Sequence, residues 1–577
     1  MKKYQGVASS RGIAIGPVFQ FRRAELVIGT CENQDPFSEW KRLDSALETA
    51  RKQLNQVYEK ALNETDEAQA EIFQFHIMMT EDTDLLDRVK NSLEDRRTNV
   101  EPVYMEVCQG YADELAAMDN EYFAARSADV LDVANRVLRI LMGVAESPTA
   151  GLIVPSVIVA DDLTPSDTIL LDKTLVLGFC TAQGSTTSHA AILARGLGLA
   201  AVGGAGSDVL AFKNGTGLII DGGAGLVIVE PDESTVNTYR QRAEQVRTLQ
   251  VEAQKYAHEP AVTLDGFRPE ISSNIGDVAG AKKAVGFGAE GVGLLRTEFL
   301  YMDRPSMPTE EEQYQAYKAI LQEFGTKPVV LRTLDIGGDK ELSYLKMDPE
   351  MNPFLGVRAL RLCFKHPDMF KAQLRAALRA GVGYNLKIMF PMVATLSEVR
   401  EARKYVNICR DELKAEGIPF AENIEIGIMV EIPAAAVCAD MLAREVDFFS
   451  IGTNDLSQYT MAADRGNPGV ANLSDAFQPS VLRLIRDVID ASHKHGKWTG
   501  MCGELAGEPL AAPLLVGLGL DEFSMSPPMV PVIKALIRTL NAKEMKALAT
   551  EALEKETVEE VRGLVRNRVP AAAAVEG

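Results

Sequence analysis

From about residue 262 onward, short apolar segments alternate regularly with longer stretches of helical periodicity, and this alternation constrains the fold most. A strand followed by a helix, repeated along the chain, is typical of parallel sheets covered by helices. The predicted strands are residues 268–274, 289–296, 328–335, 384–391, 424–431, 446–453, 497–502 and 520–525. Eight such units in about 300 residues fit a closed (β/α)8 TIM-type barrel better than an open sheet. The helices that follow the strands include Glu311–Phe324, Gly356–Arg379, Leu396–Glu416 and Pro479–His493.

The first 260 residues show other patterns. Residues 36–143 hold few Gly and Pro and repeat apolar residues at helical spacing, which predicts a helical bundle. Short apolar runs in residues 150–229, broken by Gly, Pro and Asp, predict a small α/β domain, and the early strands in residues 5–20 belong with it. The sequence therefore predicts a multidomain α/β protein. Its predicted parts are an α/β domain (1–32 with 144–230), an inserted helical domain (33–143), a linker helix (231–260) and the barrel (261–577).

The formal charge of −21 comes from 60 basic and 81 acidic residues. Such a surface repels phosphate backbones, so we expect no nucleic-acid partner. Residues 33–143 carry 23 acidic and 12 basic residues, which concentrates about half of the excess in the predicted bundle. This acidic surface is either an ordinary solvated helical face or a docking surface for a basic protein.

Signals for membrane insertion and export are missing from the sequence. No apolar run reaches the ~20 residues that span a bilayer, and the N-terminus lacks the apolar core of a signal peptide. The seven cysteines are scattered singly, as reduced thiols are. We therefore expect a cytoplasmic protein without membrane insertion.

His189 is the candidate nucleophile. It follows Thr187 and Ser188 where a predicted strand, Leu175–Cys180, gives way to a predicted helix. A neutral imidazole can attack phosphorus, and the resulting phosphoramidate can pass the phosphoryl group on. A helix N-terminus and nearby hydroxyls stabilise phosphoryl charge. A lone histidine at a helix start is often only a polar cap, and its surroundings must decide between these interpretations.

Basic residues follow the second and third predicted strands of the barrel. Arg296 ends the second strand, Arg332 lies in the third, and Lys340 and Arg358 come in the connection after it. Because catalytic residues of such barrels follow the strands, these cations would converge on one rim. There they could clamp a transferring phosphoryl group by bidentate contacts. The alternative is that the arginines form salt bridges that close the barrel.

Carboxylates follow the fifth and sixth strands. Glu431 comes after the fifth strand, and Asn454 and Asp455 come after the sixth. Two carboxylates at neighbouring strand ends suit a Mg²⁺ ion that keeps water and substrate oxygens in its shell. Arg465, ten residues after Asp455, could pair with a substrate carboxylate.

Cys502 follows the seventh strand. A cysteine is usually a small core residue, but at a barrel rim its thiol would face the substrate. If the substrate loses its phosphoryl group as an enolate, a thiol is a plausible acid for protonating carbon.

These segments together resemble enzyme I of the bacterial phosphoenolpyruvate (PEP):sugar phosphotransferase system, a PEP-protein phosphotransferase, over essentially the whole chain. The segments that carry the resemblance are residues 163–166 (Leu-Thr-Pro-Ser), 187–189 (Thr-Ser-His), 291–300 (Gly-Val-Gly-Leu-Leu-Arg-Thr-Glu-Phe-Leu), 335–340 (Asp-Ile-Gly-Gly-Asp-Lys), 447–456 (Asp-Phe-Phe-Ser-Ile-Gly-Thr-Asn-Asp-Leu) and 500–504 (Gly-Met-Cys-Gly-Glu).

The resemblance implies a mechanism. His189 would be the phosphorylated histidine of a swivelling α/β domain, with Thr168 as its hydrogen-bonding partner. The helical insertion would dock the small phosphocarrier protein HPr, and the barrel would form a homodimer. Glu431 and Asp455 would bind Mg²⁺, and Cys502 would protonate the enolate to give pyruvate. The implied substrate-binding residues are Arg296, Arg332, Lys340, Arg358, Asn454 and Arg465.

Three other functions remain possible from the residues alone. A PEP synthase or pyruvate phosphate dikinase shares the histidine and barrel but needs a nucleotide-binding domain, for which we find no convincing Gly-rich loop. The nitrogen-regulatory paralogue adds an N-terminal sensory domain, which we do not expect here. A non-enzymatic regulator would only bind PEP and signal its presence to partners.

Overall fold

The computed structural model describes most of the chain, in two compact units, Met1–Ala243 and Glu244–Glu576. Outside the description are residues 23–25, 27, 33, 65–66, 117–120, 145–151, 165–166, 168–170, 185–188, 303, 305, 338–341, 343, 346, 348–349, 466, 468 and 577. Only the backbone is described for residues 60–64, 67–72, 116, 121–126, 128, 189, 192, 196–197, 246, 250 and 576. Among the helices described, none has both the length and the apolar character needed to cross a bilayer.

The first unit contains an eight-stranded mixed sheet, in the order β1-β8-β7-β3-β4-β5-β6-β2. Its strands are β1 (Lys2–Gln5), β2 (Val7–Ser10), β3 (Ile13–Gln20), β4 (Ser156–Ala160), β5 (Val176–Thr181), β6 (Ala200–Gly203), β7 (Gly217–Asp221) and β8 (Leu226–Val229). Strands β3 and β4 pair in parallel, although residues 21–155 separate them along the chain. The chain therefore leaves the sheet after β3 and returns to the neighbouring position.

In the described parts of the sequence between β3 and β4, the structure has five helices. They are α1 (Pro36–Glu64), α2 (Glu67–Met79), α3 (Thr83–Arg96), α4 (Val100–Ala116) and α5 (Glu121–Leu141). Their core is a cluster of fully buried aliphatic residues such as Leu43, Leu47 and Val137, spaced to lie on one face of each helix. Two further helices follow in the chain, α6 (His189–Leu197) and the long α7 (Glu233–Lys255).

The second unit confirms the predicted barrel. Eight parallel strands close in sequence order, and the last pairs with the first. They are β9 (Glu270–Ile275), β10 (Val292–Leu295), β11 (Val329–Arg332), β12 (Leu386–Phe390), β13 (Ile426–Val430), β14 (Phe448–Ile451), β15 (Trp498–Met501) and β16 (Glu522–Met525). Each lies within or overlaps its predicted segment.

Helices surround the barrel. They are α8 (Val278–Gly286), α9 (Glu310–Phe324), α10 (Leu360–Lys365), α11 (Pro367–Ala380), α12 (Leu396–Ala415), α13 (Pro433–Val437), α14 (Ala439–Leu442), α15 (Thr453–Met461), α16 (Pro479–Lys494), α17 (Ala511–Leu518), α18 (Met529–Arg538), α19 (Ala542–Ala552), α20 (Val558–Arg568) and α21 (Pro570–Glu576). The single helix predicted over Gly356–Arg379 was wrong, because two helices meet at His366. Pro367 begins the second, since proline lacks the N–H that would continue the first.

The interior of the barrel is packed and does not form a channel. Six buried side chains fill it, and we call this cluster the interior plug: Leu294, Val330, Met389, Met429, Phe448 and Cys502. Trp498 packs against the plug, its ring stacked on Phe448 at a centroid distance of 4.4 Å. The plug therefore separates the carboxyl-terminal rim of the barrel from its amino-terminal mouth.

A buried lysine fixes the segment that enters the barrel. Lys534, on α18, is fully buried and donates hydrogen bonds to the carbonyl oxygens of Ala257 (2.9 Å) and Gly288 (2.7 Å). The carboxylate of Glu290 lies 3.6 Å from its ammonium nitrogen. Burial lowers the pKa of Lys534, but these acceptors compensate for much of the lost hydration.

We expect Lys534→Met to destabilise the second unit by about 2–4 kcal/mol, because two buried carbonyls and Glu290 lose their partner. The measurement is chemical denaturation of the full-length protein, with Lys546→Met as a control on an exposed face of α19. Equal stability of the two variants would show that the Lys534 contacts contribute nothing.

Candidate active site at the barrel rim

Charged side chains meet at the carboxyl ends of the barrel strands. Arg332, the last residue of β11, forms ion pairs with Glu298 and, at 2.9 Å, with Asp335. Arg358 binds Asp335 through two hydrogen bonds of 3.0 and 3.1 Å, and one of its nitrogens lies 3.5 Å from Asp455. Asp335 thus bridges both arginines. We call these five residues, together with the nearby Glu431, the rim network: Glu298, Arg332, Asp335, Arg358, Glu431 and Asp455.

The rim network is almost completely buried, so its charges are held in a poorly hydrated environment. Both arginines are at most 7% exposed. Burial opposes their charged form, but the surrounding carboxylates outweigh it, and the pKa of Arg332 and that of Arg358 are raised above the ordinary arginine value. The two guanidinium groups therefore stay charged and keep a fixed orientation.

Close packing holds Arg358 in this position. Its Nη1 donates a hydrogen bond of 3.2 Å to the hydroxyl of Tyr459, which in turn donates one of 2.6 Å to the carbonyl of Phe354. Gly337 has a φ of 115° and passes so near Arg358 that a Cβ there would lie 2.6 Å from the arginine Cβ. Only glycine fits at residue 337, for reasons of both space and backbone conformation.

Glu431 is the most deeply buried carboxylate of the network. One of its oxygens accepts a 2.6 Å hydrogen bond from the backbone N–H of Met392, whose φ of 55° is uncommon for a residue with a side chain. Burial, and then the negative charges of Asp455 and Asp335, raise the pKa of Glu431 to about 8. The fold thus keeps a strained backbone to orient this carboxylate, as functional sites often do.

Two oxygens of the rim network are suited to a cation. Among the described residues, Glu431 Oε2 and Asp455 Oδ1 are buried without a hydrogen-bond partner. A buried carboxylate oxygen without a partner is costly, and a bound cation would compensate for it. Among the described residues, no group of three Asp, Glu, His or Cys is arranged to hold a metal ion by itself. The pair therefore fits an ion that takes its other ligands from water and substrate, as Mg²⁺ does.

Three further predicted substrate-binding residues lie around this network. Asn454 is the second residue of α15, beside Asp455, and its side-chain oxygen accepts a 3.0 Å hydrogen bond from the backbone N–H of Glu504. Arg296 directly follows β10 and is exposed. Its side chain forms no ion pair with any residue that the structure describes. Arg465 is also exposed, after α15. The guanidinium groups of Arg296 and Arg465 are thus open to solvent, whereas those of Arg332 and Arg358 are already held by ion pairs within the rim network.

Cys502 directly follows β15 and belongs to the interior plug. It is 4% exposed, and its thiol lies 4.0 Å from the carbonyl oxygen of Ile451. Burial raises the pKa of the thiol to about 11, while the nearby Arg332 partly offsets this effect. The thiol therefore keeps its proton at neutral pH, at the boundary between the plug and the rim network.

The remaining predicted residues belong to parts that the structure describes incompletely. Thr168 and Lys340 lie outside the described residues. The backbone of His189 begins α6, after β5 in the chain, as the sequence predicted for a nucleophile at a helix start. This helix belongs to the first unit, whereas the rim network belongs to the second.

For some residues of the site, the sequence predicted no role. Glu298 and Asp335 were quoted within motifs but given no role, although they pair with Arg332. Tyr459 and Met392 were missed, because a hydroxyl one helical turn after Asp455 and a backbone N–H carry no distinctive signal. The alternative of salt-bridged arginines, left open above, describes Arg332 and Arg358 in this structure.

Comparisons with protein families agree with the fold and the rim. Three family models match the chain, described as the N-terminal part of PEP-utilising enzymes (residues 5–126), their mobile domain (153–225) and their PEP-binding domain (250–542). The third covers about half of the chain, including the whole rim network. The class that the barrel, its rim and these matches define is therefore the PEP-utilising enzymes.

Full-length relatives narrow this class. The chain is 48% identical to the phosphoenolpyruvate-protein phosphotransferase of Listeria monocytogenes over 98% of its own length and 99% of the relative. It is 46% identical to the protein of that name from Geobacillus stearothermophilus (98% of both chains) and to that from Staphylococcus aureus (98% and 100%). The chain belongs to the phosphoenolpyruvate-protein phosphotransferase family.

Proposed function

We propose that this protein transfers the phosphoryl group of PEP to its own His189 and then to the histidine of HPr, releasing pyruvate. The observation that carries the proposal is the buried rim network, in which two fixed guanidinium groups and two unpartnered carboxylate oxygens meet at the catalytic end of a barrel. The names of the full-length relatives support the same reaction. The reaction would be the first step of PEP-dependent sugar phosphorylation and uptake.

The charge balance of the rim network favours Mg²⁺ as cofactor. Four carboxylates surround two guanidinium groups, so the network by itself would repel the anionic substrate. Glu431 and Asp455 would hold the ion through the oxygens that lack partners. When bound, Mg²⁺ would neutralise negative charge on the substrate oxygens.

Different side chains of the rim would bind different groups of the substrate. Arg296, exposed beside the network, and Arg332 would contact the phosphoryl group, together with Lys340 and Arg358. Asn454 and Arg465 would hold the carboxylate of PEP at the other side. Since Arg332 and Arg358 are already fixed by ion pairs, little reorganisation is needed when charge develops on the phosphoryl oxygens.

The transfer then needs one nucleophile and one acid. The imidazole nitrogen of His189 attacks phosphorus, the bond between phosphorus and the enol oxygen breaks, and the enolate of pyruvate remains. The protonated thiol of Cys502 donates its proton to the methylene carbon of the enolate, and the product is pyruvate. Thr168 would hydrogen-bond the imidazole. The α/β domain must move between the barrel and HPr, since His189 serves both.

The charge distribution, the exposed apolar side chains and the free cysteines support the proposed partners and location. The acidic excess of residues 33–143 suits a basic phosphocarrier docking on the helical bundle. Exposed apolar side chains at Val437 (71%), Met441 (46%) and Leu473 (45%) suit a homodimer formed through the barrel. The cysteines that the structure describes are all free, which suits the reducing cytoplasm.

Incubation with ³²P-labelled PEP and Mg²⁺ tests the proposal. We expect a label on His189 that is stable in base and labile in acid, and that moves to HPr when HPr is added. Labelling from ATP with release of AMP would instead indicate a PEP synthase or dikinase. PEP binding without any labelling would indicate a regulator that does not catalyse transfer.

The assignment of the metal ligands predicts that Asp455→Asn weakens Mg²⁺-dependent PEP binding at least about tenfold, because one of the two anionic ligands is lost. Calorimetric titration of PEP with and without Mg²⁺ measures the effect. Asp490→Asn, which removes an exposed carboxylate from α16, is the matched control. Unchanged Mg²⁺-dependent affinity in Asp455→Asn would exclude this residue as a ligand.

The two units predict a division of labour that fragments can test. We expect residues 262–577 to bind PEP and to dimerise, because they contain all the proposed substrate and metal ligands. Residues 1–230 should accept a phosphoryl group from phosphorylated HPr, since they contain His189 and the acidic bundle. Sedimentation and phosphoryl-exchange assays measure both. A folded N-terminal fragment that remains unphosphorylated would contradict the assignment.

A further inference from the structure

The barrel has a second concave site, at the end opposite the rim network. A cavity of about 340 Å³ opens at the amino-terminal mouth, lined by residues at or just before the starts of the strands. Val330 forms part of both this cavity and the interior plug, so the plug is the floor of the cavity. The volume is within the range of sites for small molecules.

A buried carboxylate faces this cavity. Glu522, the first residue of β16, is 4% exposed and lines the cavity. Its Oε2 atom has no hydrogen-bond partner in the described part of the chain. Gly293 and Gly500 flank the carboxylate, and a Cβ at either position would overlap one of its oxygens. Strands β10 and β15 thus leave room for the Glu522 carboxylate, because each has a glycine where a side chain would occupy that space.

A second carboxylate is close to Glu522. Glu270, at the start of β9, is paired in register with Glu522 and also lines the cavity. It accepts a 3.1 Å hydrogen bond from the hydroxyl of Ser272. Burial, and then the charge of Glu270, raise the pKa of Glu522 to about 8. Glu522 is buried and Glu270 half-buried, and a cation bound between them would favour the ionised form of both, because like charges repel strongly where water is scarce.

The other charges at this mouth already have partners. Lys387 forms an ion pair with Glu425, and its ammonium lies 5.1 Å from the centre of the Trp498 ring. Asp521 accepts a 2.8 Å hydrogen bond from the backbone N–H of Thr499 and lies 2.8 Å from the ring nitrogen of His493. The carboxyl groups for which no ion pair is seen at this mouth are therefore those of Glu270 and Glu522, among the described residues.

We propose that this cavity binds a small organic ammonium ion, with its positive group against Glu522 and Glu270 and its apolar part against the cavity wall. The wall consists of Val292, Pro328 and the indole of Trp498. Such a wall gains from contact with the hydrocarbon part of a ligand.

A bare metal ion fits this cavity less well than an organic ion. Although several carboxylates line the cavity, no three Asp, Glu, His or Cys among the described residues are arranged to hold a metal ion, and the wall offers apolar contact that an ion with its water shell cannot use. An organic ammonium ion uses both the carboxylates and the wall.

The proposal can be tested on the unmodified protein with n-butylammonium as probe and n-butanol as its neutral analogue. In a ligand-observed NMR titration we expect n-butylammonium to bind with a Kd on the order of 1 mM and n-butanol at least about tenfold more weakly. Equal binding of the two probes, or no saturable binding of n-butylammonium at about 20 mM, would overturn the proposal. Displacement of bound n-butylammonium by equimolar Mg²⁺ would also overturn it, because the site would then be one for a metal ion.

Variants locate the site. Glu522→Gln should weaken n-butylammonium binding about tenfold or more, whereas Glu422→Gln, an exposed residue before β13, should not. The chain has two tryptophans, so in a Trp40→Phe protein only Trp498 reports by fluorescence. Its emission should change with n-butylammonium at the concentration dependence seen by NMR. Binding that leaves this emission unaltered, or that survives Glu522→Gln in a folded protein, would place the ligand elsewhere and refute the proposal.

Discussion

Replacing His189 with alanine is expected to abolish labelling of the protein by PEP, a loss of at least about 10⁴-fold, because no other group takes over as nucleophile. PEP binding should remain near normal, since the proposed substrate ligands belong to the other compact unit. Labelled PEP measures the first quantity and calorimetric titration the second.

The control for this prediction is another histidine. His258→Ala removes an exposed imidazole and should leave labelling unchanged. Two of the four remaining histidines have carboxylate neighbours: His76 is fully buried 3.3 Å from Asp129, and His493 contacts Asp521. Retained labelling in His189→Ala, at any of the other five histidines, would end the assignment of His189 as nucleophile.

Replacing Cys502 with alanine is expected to slow pyruvate formation by about 10²–10⁴-fold, because general-acid assistance has this magnitude. The structure gives the reason why the thiol can act as an acid: burial raises its pKa to about 11, so it carries its proton at neutral pH. PEP affinity should change little, since the rim network contains the binding groups. Steady-state release of pyruvate measures the rate.

A purely packing role for Cys502 makes a different prediction. Cys502 belongs to the interior plug, so alanine there also removes buried volume and should lower the melting temperature. Cys409→Ala is the matched control, because it makes the same change at a fully buried cysteine on α12, away from the rim. If Cys502→Ala melts lower, as Cys409→Ala does, and turns over PEP at the normal rate, Cys502 only packs.

The sequence by itself determined the order of the elements. Eight apolar segments separated by helical stretches predicted the closed barrel, because each strand must be buried on both faces and each helix on one. Rules for such barrels then predicted that Arg332, Glu431 and Asp455 lie at one rim, since each follows or ends a strand. The apolar periodicity runs continuously through His366, so it could not predict that the first helix ends there and that Pro367 begins a second one.

Only the tertiary structure decided which charges touch. Asp335 bridges Arg332 and Arg358, and Met392 turns its N–H towards Glu431 through a left-handed backbone. Neither arrangement follows from spacing, because Arg358 reaches Asp335 from 23 residues further along the connection after β11, and Met392 and Glu431 follow two different strands. The same applies to the amino-terminal mouth, where Gly293 and Gly500 make room for Glu522 from two other strands. Local pattern fixes which elements form, whereas the burial and pairing of their charges depend on how distant segments pack.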